Sequence, residues 1–228
     1  GITLPASGSC TITVVVTSSV VGTNPNAANG VTTALLPQGP GSNTDNLVVV
    51  GPPTIAKAFS PSSIVVGGSS TITFTLSNPN TIPLTGIAFT DAYAGSLANA
   101  TPLTVGGTCT GVTHTAVAGG SSFNVTAGTI PANASCTITV LVTVGNAGVI
   151  NNTTSGVSSA EGPTGPPSNT APITASNEPN VSKAFGTSPI AQGGSSLLTF
   201  TVQNPNPTVL TNIRFTDALV NMATAGAT

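Results

Sequence analysis

One segment of this chain occurs twice, and the spacing between the copies fixes how the rest must be read. GGSSTITFTLSNPN at Gly67–Asn80 returns as GGSSLLTFTVQNPN at Gly193–Asn206, an offset of 126 residues. The same offset carries Ala6–Thr17 (ASGSCTITVVVT) onto Ala132–Thr143 (ANASCTITVLVT), Lys57-Ala58-Phe59 onto Lys183-Ala184-Phe185, and Phe89–Ala92 onto Phe215–Ala218. No gap is needed across the 102 overlapping positions, of which about 45 are identical. A unit of this length can bury a core of its own and does not depend on stacked neighbours. Pro53 and Pro179 occupy equivalent places in polar or Gly/Pro-rich stretches that read as linkers. One complete unit therefore spans 52–177, residues 1–51 are the C-terminal part of a preceding unit, and 178–228 begin the next. Both ends of the sequence fall inside units, so the expectation is a longer tandem array.

Within the unit, alternation of period two dominates. Ile72, Phe74 and Leu76 alternate with Thr71, Thr73 and Thr75, and Ile138, Val140 and Val142 with Thr137, Thr139 and Thr143. Asn78-Pro79-Asn80, Gly67-Gly68 and Gly119-Gly120 supply turns. Ser and Thr number 63 and Trp is absent, a composition that favours short strands over helices. The predicted class is all-β: tandem immunoglobulin-like antiparallel sandwiches. Six of the seven Phe residues form repeat pairs (Phe59/Phe185, Phe74/Phe200, Phe89/Phe215) and read as core.

Charge excludes several functions. Only 3 Lys/Arg and 5 Asp/Glu are present, which leaves no electrostatic footprint for nucleic acid or an acidic membrane. No apolar run approaches the roughly 18 residues of a spanning helix; Thr11–Val16 and Leu47–Val50 are strand-length. Cofactors are not expected, nor is a metal, since there is no CxxC and a single His. That residue, His114, lies in an alternating stretch and reads as a strand or loop position. No GxSxG, Walker loop or HExxH occurs, so an enzyme is not expected. Six Asn-x-Ser/Thr triplets (at Asn99, Asn124, Asn133, Asn151, Asn152 and Asn180) are about what 20 Asn give by chance in so Ser/Thr-rich a chain.

The ordered series KAFSPSSIVVGGSSTITFTLSNPN, LTGIAFTDA and GTIPANASCTITVLVTV resembles an immunoglobulin-like tandem repeat of unknown function from large bacterial cell-surface and secreted proteins. The resemblance covers nearly all of the chain and implies an extracellular or cell-surface location, without catalytic residues. It also bears on the cysteines. Cys10 and Cys136 are equivalents, whereas Cys109 shares a unit with Cys136. Cys109 and Cys136 are either buried thiols or a disulfide; the oxidising exterior implied by the resemblance favours the disulfide, leaving Cys10 unpaired.

One constellation carries possible chemistry. Lys57 and Lys183 are the only lysines and are equivalents; Asp91 and Asp217 are the acidic residues the copies share. Ile55, Lys57 and Phe59 fall on one strand face, as do Ile87, Phe89 and Asp91, so both charges point toward apolar neighbours, where an unpaired ion is very costly. The second copy repeats this with Lys183 and Asp217. The plain readings are a buried ion pair, a lysine snorkelling at the rim, or an exposed residue. The sharper reading resembles collagen-adhesin B-type and pilin domains, in which a Lys joins an Asn beside an acidic residue. Asn169 (copy Asn43) suits by sharing a face with Ile173; Asn152 (copy Asn26) is the second candidate.

The expected function is a structural repeat of an extracellular stalk, sheath or filament that self-associates with neighbouring repeats or other copies of the chain. A nearly uncharged, Thr-rich surface lacks the edge lysines that block sheet pairing, and a mean hydropathy of +0.36 suits partial cover in an assembly. The alternative is an adhesin module binding a glycan or protein ligand through its loops. Tyr93, where the next copy has Leu219, is its one hint.

Overall fold

A computed structural model describes residues 2–224; Gly1 and 225–228, the outermost residues of the two partial units, lie outside the described residues. Among the described residues the regular structure is strand only. Residues 1–51 contribute β1 (Gly22–Asn26) and β2 (Asp45–Val49). The complete unit holds β3 (Thr54–Ser60), β4 (Ser63–Val65), β5 (Ser69–Asn78), β6 (Leu84–Thr85), β7 (Phe89–Ala92) and β8 (Leu97–Asn99). It continues with β9 (Val105–Gly107), β10 (Thr110–His114), β11 (Ser122–Ile130), β12 (Ala134–Val144), β13 (Gly148–Asn152) and β14 (Ala171–Ser176). β15 (Asn180–Phe185) and β16 (Leu198–Gln203) follow.

The longest strands are the ones whose alternation is clearest. β5 and β12 pair antiparallel with Leu76 opposite Cys136, Phe74 opposite Ile138 and Ile72 opposite Val140, all buried. Their threonines occupy the other face. β3 extends this sheet beyond β5, while β8 and β9 pair with β12. Against it lies a second sheet in which β11 is central, flanked by β10 on one side and by β6 and β7 on the other. Phe74 stacks on Phe123 of the facing sheet (centroids 5.6 Å apart, planes 9° apart) and meets Phe89 at 5.1 Å. Burying such rings contributes on the order of 1.5–3 kcal/mol each.

The sandwich is not wholly antiparallel. β13, β14 and β4 form a third sheet in which β4 runs parallel to β14. The cause lies at Ser60-Pro61-Ser62: a proline has no N–H for the β3–β5 ladder, so the first strand ends there. The chain resumes as β4 in the same direction but paired with β14, and the Thr174 N–H donates to Ser62 O at 2.9 Å.

A second departure concerns the joints, which read as linkers in sequence. Gly51 and Pro53 are buried, and the joint is packed rather than free. Among the described residues the buried hydrophobic side chains all lie between Ile55 and Ala175. Ile12, Val14 and Val16, the equivalents of Ile138, Val140 and Val142, are 68%, 75% and 67% exposed and form no strand.

Cys109 and Cys136 form a disulfide spanning 27 residues, and Cys10 is free and exposed. Gly107 makes this approach possible. Its φ is +126°, and a Cβ there would sit 2.1 Å from Thr137 O, so only glycine lets β9 turn back along β12. Closing a loop of this length contributes about 3 kcal/mol. Thiol labelling of the denatured, unreduced chain should therefore find one reactive cysteine, Cys10; three labelled cysteines would refute the pairing.

Candidate functional site

β3 reads exposed–buried without interruption, which places Ile55, Lys57 and Phe59 inside; β7 does the same for Phe89 and Asp91. Asn152 enters from the end of β13 and is also buried. Three polar residues from three strands thus meet beneath the sheet. The Lys57 side chain is fully enclosed, and its Nζ contacts both Asp91 Oδ2 and Asn152 Oδ1. The amine also lies 5.4 Å from the Phe59 ring centroid, 5.5 Å from that of Phe74 and 6.0 Å from that of Tyr93. Asn152 Nδ2 donates to Ala92 O at 2.9 Å, which turns the amide oxygen toward the lysine. Asp91 Oδ1 is buried and has no hydrogen-bond partner.

Burial shifts both ionisable groups toward neutrality. It pushes the Lys57 ammonium below the usual lysine range, opposed by the Asp91 charge and hydrogen bond. It pushes the Asp91 carboxyl above its usual range, opposed chiefly by Lys57. An ammonium–carboxylate pair and an amine–carboxylic acid pair carry the same number of protons. The solvent's pH therefore does not choose between them over the middle of the scale; the dry surroundings do.

Asn169, the first-ranked partner on sequence parity, lies elsewhere. It is exposed and brackets the Lys57 backbone: the Lys57 N–H donates to Oδ1 at 2.9 Å, and Nδ2 donates to Lys57 O at 3.0 Å. Parity counted back from Ile173 fails because β14 starts at Ala171, two residues beyond Asn169. Tyr93 is not a free loop aromatic either; its hydroxyl donates to Asn99 Oδ1 at 2.8 Å beside the cluster. His114 packs on Phe123, with ring centroids 5.5 Å apart.

The second copy supplies an internal comparison. Lys183 Nζ reaches Asp217 Oδ1 at 2.7 Å, yet the two side chains are 49% and 21% exposed. No Asn side chain bonds Lys183 among the described residues. The Lys–Asp contact recurs across the same 34-residue separation in both copies, and around Lys57 the pair is dry and joined by the Asn152 side-chain amide.

A second arrangement went unread in the sequence, where Asn78-Pro79-Asn80 signified only a turn. The Gly51 N–H donates to Asn80 Oδ1 at 2.7 Å, and Asn80 Nδ2 donates back to Gly51 O at 3.0 Å. At the next joint Asn177 N–H donates to Asn206 Oδ1 at 2.5 Å, and Asn206 Nδ2 to Asn177 O at 2.9 Å. In each case a side-chain amide copies a backbone peptide and grips the last residue before the joint. Asn78 and Asn204 hold these amides in turn, accepting from Asn80 Nδ2 at 2.8 Å and from Asn206 Nδ2 at 3.0 Å. The signal was present: all four asparagines obey the 126-residue offset.

Residues 53–173 and again 179–227 match a family described as Domain of unknown function (DUF7933), and the chain belongs to that family. No curated protein matches it. Among solved structures, a non-cellulosomal cohesin from the hyperthermophilic archaeon Archaeoglobus fulgidus is 11% identical over 54% of this chain and 91% of its own, with a TM-score of 0.40. The bacterial hydrophobin BslA is 16% identical over 57% of this chain and 98% of its own, at 0.39. A cohesin module from a Clostridium perfringens family 33 glycoside hydrolase is 14% identical over 57% and 98%, at 0.34. No residue role passes from any of them.

Two outcomes follow. Lys57→Ala strands a buried Asp91, so chemical denaturation should show the complete unit weakened by about 3–5 kcal/mol, whereas Lys183→Ala should cost under about 1 kcal/mol. Equal effects would refute the difference in burial. In hydrogen exchange, the Gly51 amide should be protected in the native chain and exchange at least tenfold faster in Asn80→Ala, since its bracket is gone. Unchanged exchange would dismiss the bracket.

Proposed function

We propose that this member of the DUF7933 family is a structural repeat of an extracellular stalk, sheath or filament, built as a tandem array of sandwiches. The observation that carries the reading is the asparagine bracket found at both joints, between Gly51 and Asn80 and between Asn177 and Asn206. A binding module on a flexible tether has no use for a joint whose peptide is clamped by the next unit. A stalk does, because fixed joints keep successive units in a set orientation and let length grow with copy number.

Other features support the reading. Val21 lies beside Gly51 and Val50 beside Gly162, so apolar side chains flank the bracket. The disulfide suits an oxidising compartment. Among the described residues no helix is long and apolar enough to cross a membrane. Tyr93, the residue that hinted at a loop-borne ligand site, is spent on Asn99 inside the fold.

Antibodies raised against residues 52–177 should label intact source cells, or fibres shed from them, and brief surface proteolysis should remove the label. Labelling only after permeabilisation would overturn the reading.

A further inference from the structure

Nothing in a structural role requires a buried lysine, an aspartate and an asparagine to converge. A single hydrophobic side chain in place of each fills such a site at lower cost, and a buried ion pair is weak support for stability. The arrangement is also a poor ion pair. Asp91 Oδ1 has no partner at all, which leaves a carboxylate half-satisfied in a dry site lined by Phe59, Phe74 and Tyr93. The same geometry is well suited to a reaction. An amine, an amide and a carboxyl group are in direct contact, water is excluded, and each side chain is held by a different strand.

We propose that Lys57 and Asn152 join spontaneously in the folded unit, as an amide between Nζ and the Asn152 side-chain carbonyl carbon. The neutral Lys57 amine attacks that carbon, and the C–N bond to Nδ2 breaks. Nδ2 leaves as ammonia, so the chain loses one nitrogen and three hydrogens, with no oxidant or cofactor needed. Asp91 is the catalytic residue. In its protonated form it donates to Asn152 Oδ1 and stabilises the charge that develops there. Asp91 Oδ2, already against Nζ, takes the proton that Nζ sheds, while a proton passes from the carboxyl to the departing nitrogen, so Asp91 ends as it began. Burial favours the two reactive forms, amine and carboxylic acid. Ala92 O, which accepts from Nδ2 at 2.9 Å, holds the leaving group on the side away from the attacking amine.

The position of the bond gives it a purpose. Lys57 is five residues from Pro52, where the unit begins, and Asn152 lies on β13 within the last part of the unit. Tension applied between successive joints passes through the amide and bypasses the 94 residues between its ends, including the central strands β5 and β12 and the disulfide. Among the described residues Lys183 bonds Asp217 and no asparagine side chain, so the proposal concerns the Lys57 cluster alone. The proposal does not depend on the role argued above. Failure of the bond leaves the stalk reading standing, and absence from the cell surface leaves the bond standing.

The test is the intact mass of the purified, unreduced 228-residue chain, followed by digestion and fragmentation. The expected result is a mass lower than the sequence by one ammonia and the two hydrogens of the disulfide, with a branched peptide containing both Lys57 and Asn152. Lys57→Ala, Asn152→Ala and Asp91→Asn should each keep the ammonia, and mass can be read even from a variant that folds poorly. A native chain that loses only the two hydrogens overturns the proposal. So does an ammonia loss that persists in Lys57→Ala, because ring closure at Asn29-Gly30 would then be its source. Loss persisting in Asp91→Asn alone would overturn the role of Asp91 while keeping the bond.

Discussion

The antiparallel ladder between β5 and β12 organises everything else in the complete unit. Its register sets Leu76, Phe74 and Ile72 against Cys136, Ile138 and Val140 on one face, which forms the floor of the core. β3 is aligned on β5 so that Lys57 stands opposite Phe74, and β8 and β9 are aligned on β12. A slip of one residue along this ladder would turn every inward side chain outward, so the burial of one face holds the register of the whole sheet. The disulfide and the polar cluster are both fixed from these two strands: Cys136 lies on β12, and Lys57 rests above Phe74 of β5.

The cluster shows how tertiary burial changes the chemistry of an unchanged motif. Lys57 with Asp91 and Lys183 with Asp217 occupy equivalent places, and each lysine reaches its aspartate. In the partial unit the pair remains partly wet, with the modest consequence of any surface ion pair. In the complete unit the aromatic floor and the end of β13 close over it, and water no longer stabilises the charges. Burial shifts both groups toward their neutral forms, an amine beside a carboxylic acid. The asparagine bracket at Gly51 and the Lys57–Asp91–Asn152 cluster are separate arrangements, one at the joint and the other inside the unit.

Much of this was legible in the sequence for one reason: the repeat and the alternation are both local patterns. Period two located β3, β5, β7 and β12 and their inward faces, and with them Lys57 and Asp91. Parity failed where the strand stopped, at Asn169, and could not show that β4 would leave β5 to pair with β14. The asparagine brackets were missed because an Asn-Pro-Asn turn looks the same whether its amides face water or a neighbouring peptide.

The sequence by itself determined strand identity and local pairing. The hairpin β1–β2 keeps the register of β13–β14, Gly22 opposite Val49 as Gly148 is opposite Ala175. Likewise β15–β16 keeps that of β3–β5, Lys183 opposite Phe200 as Lys57 is opposite Phe74. These strands are neighbours in sequence, and each pair keeps its register across both copies. Only the tertiary structure decided what was buried. CTITVVV from Cys10 and CTITVLV from Cys136 differ at one position, yet the second is the central strand of a sheet and the first is exposed and unpaired. A strand of this kind has no internal hydrogen bonds. It is stable only when distant segments supply both the ladder and the apolar face, as β5, β8 and β9 do for the strand of Cys136.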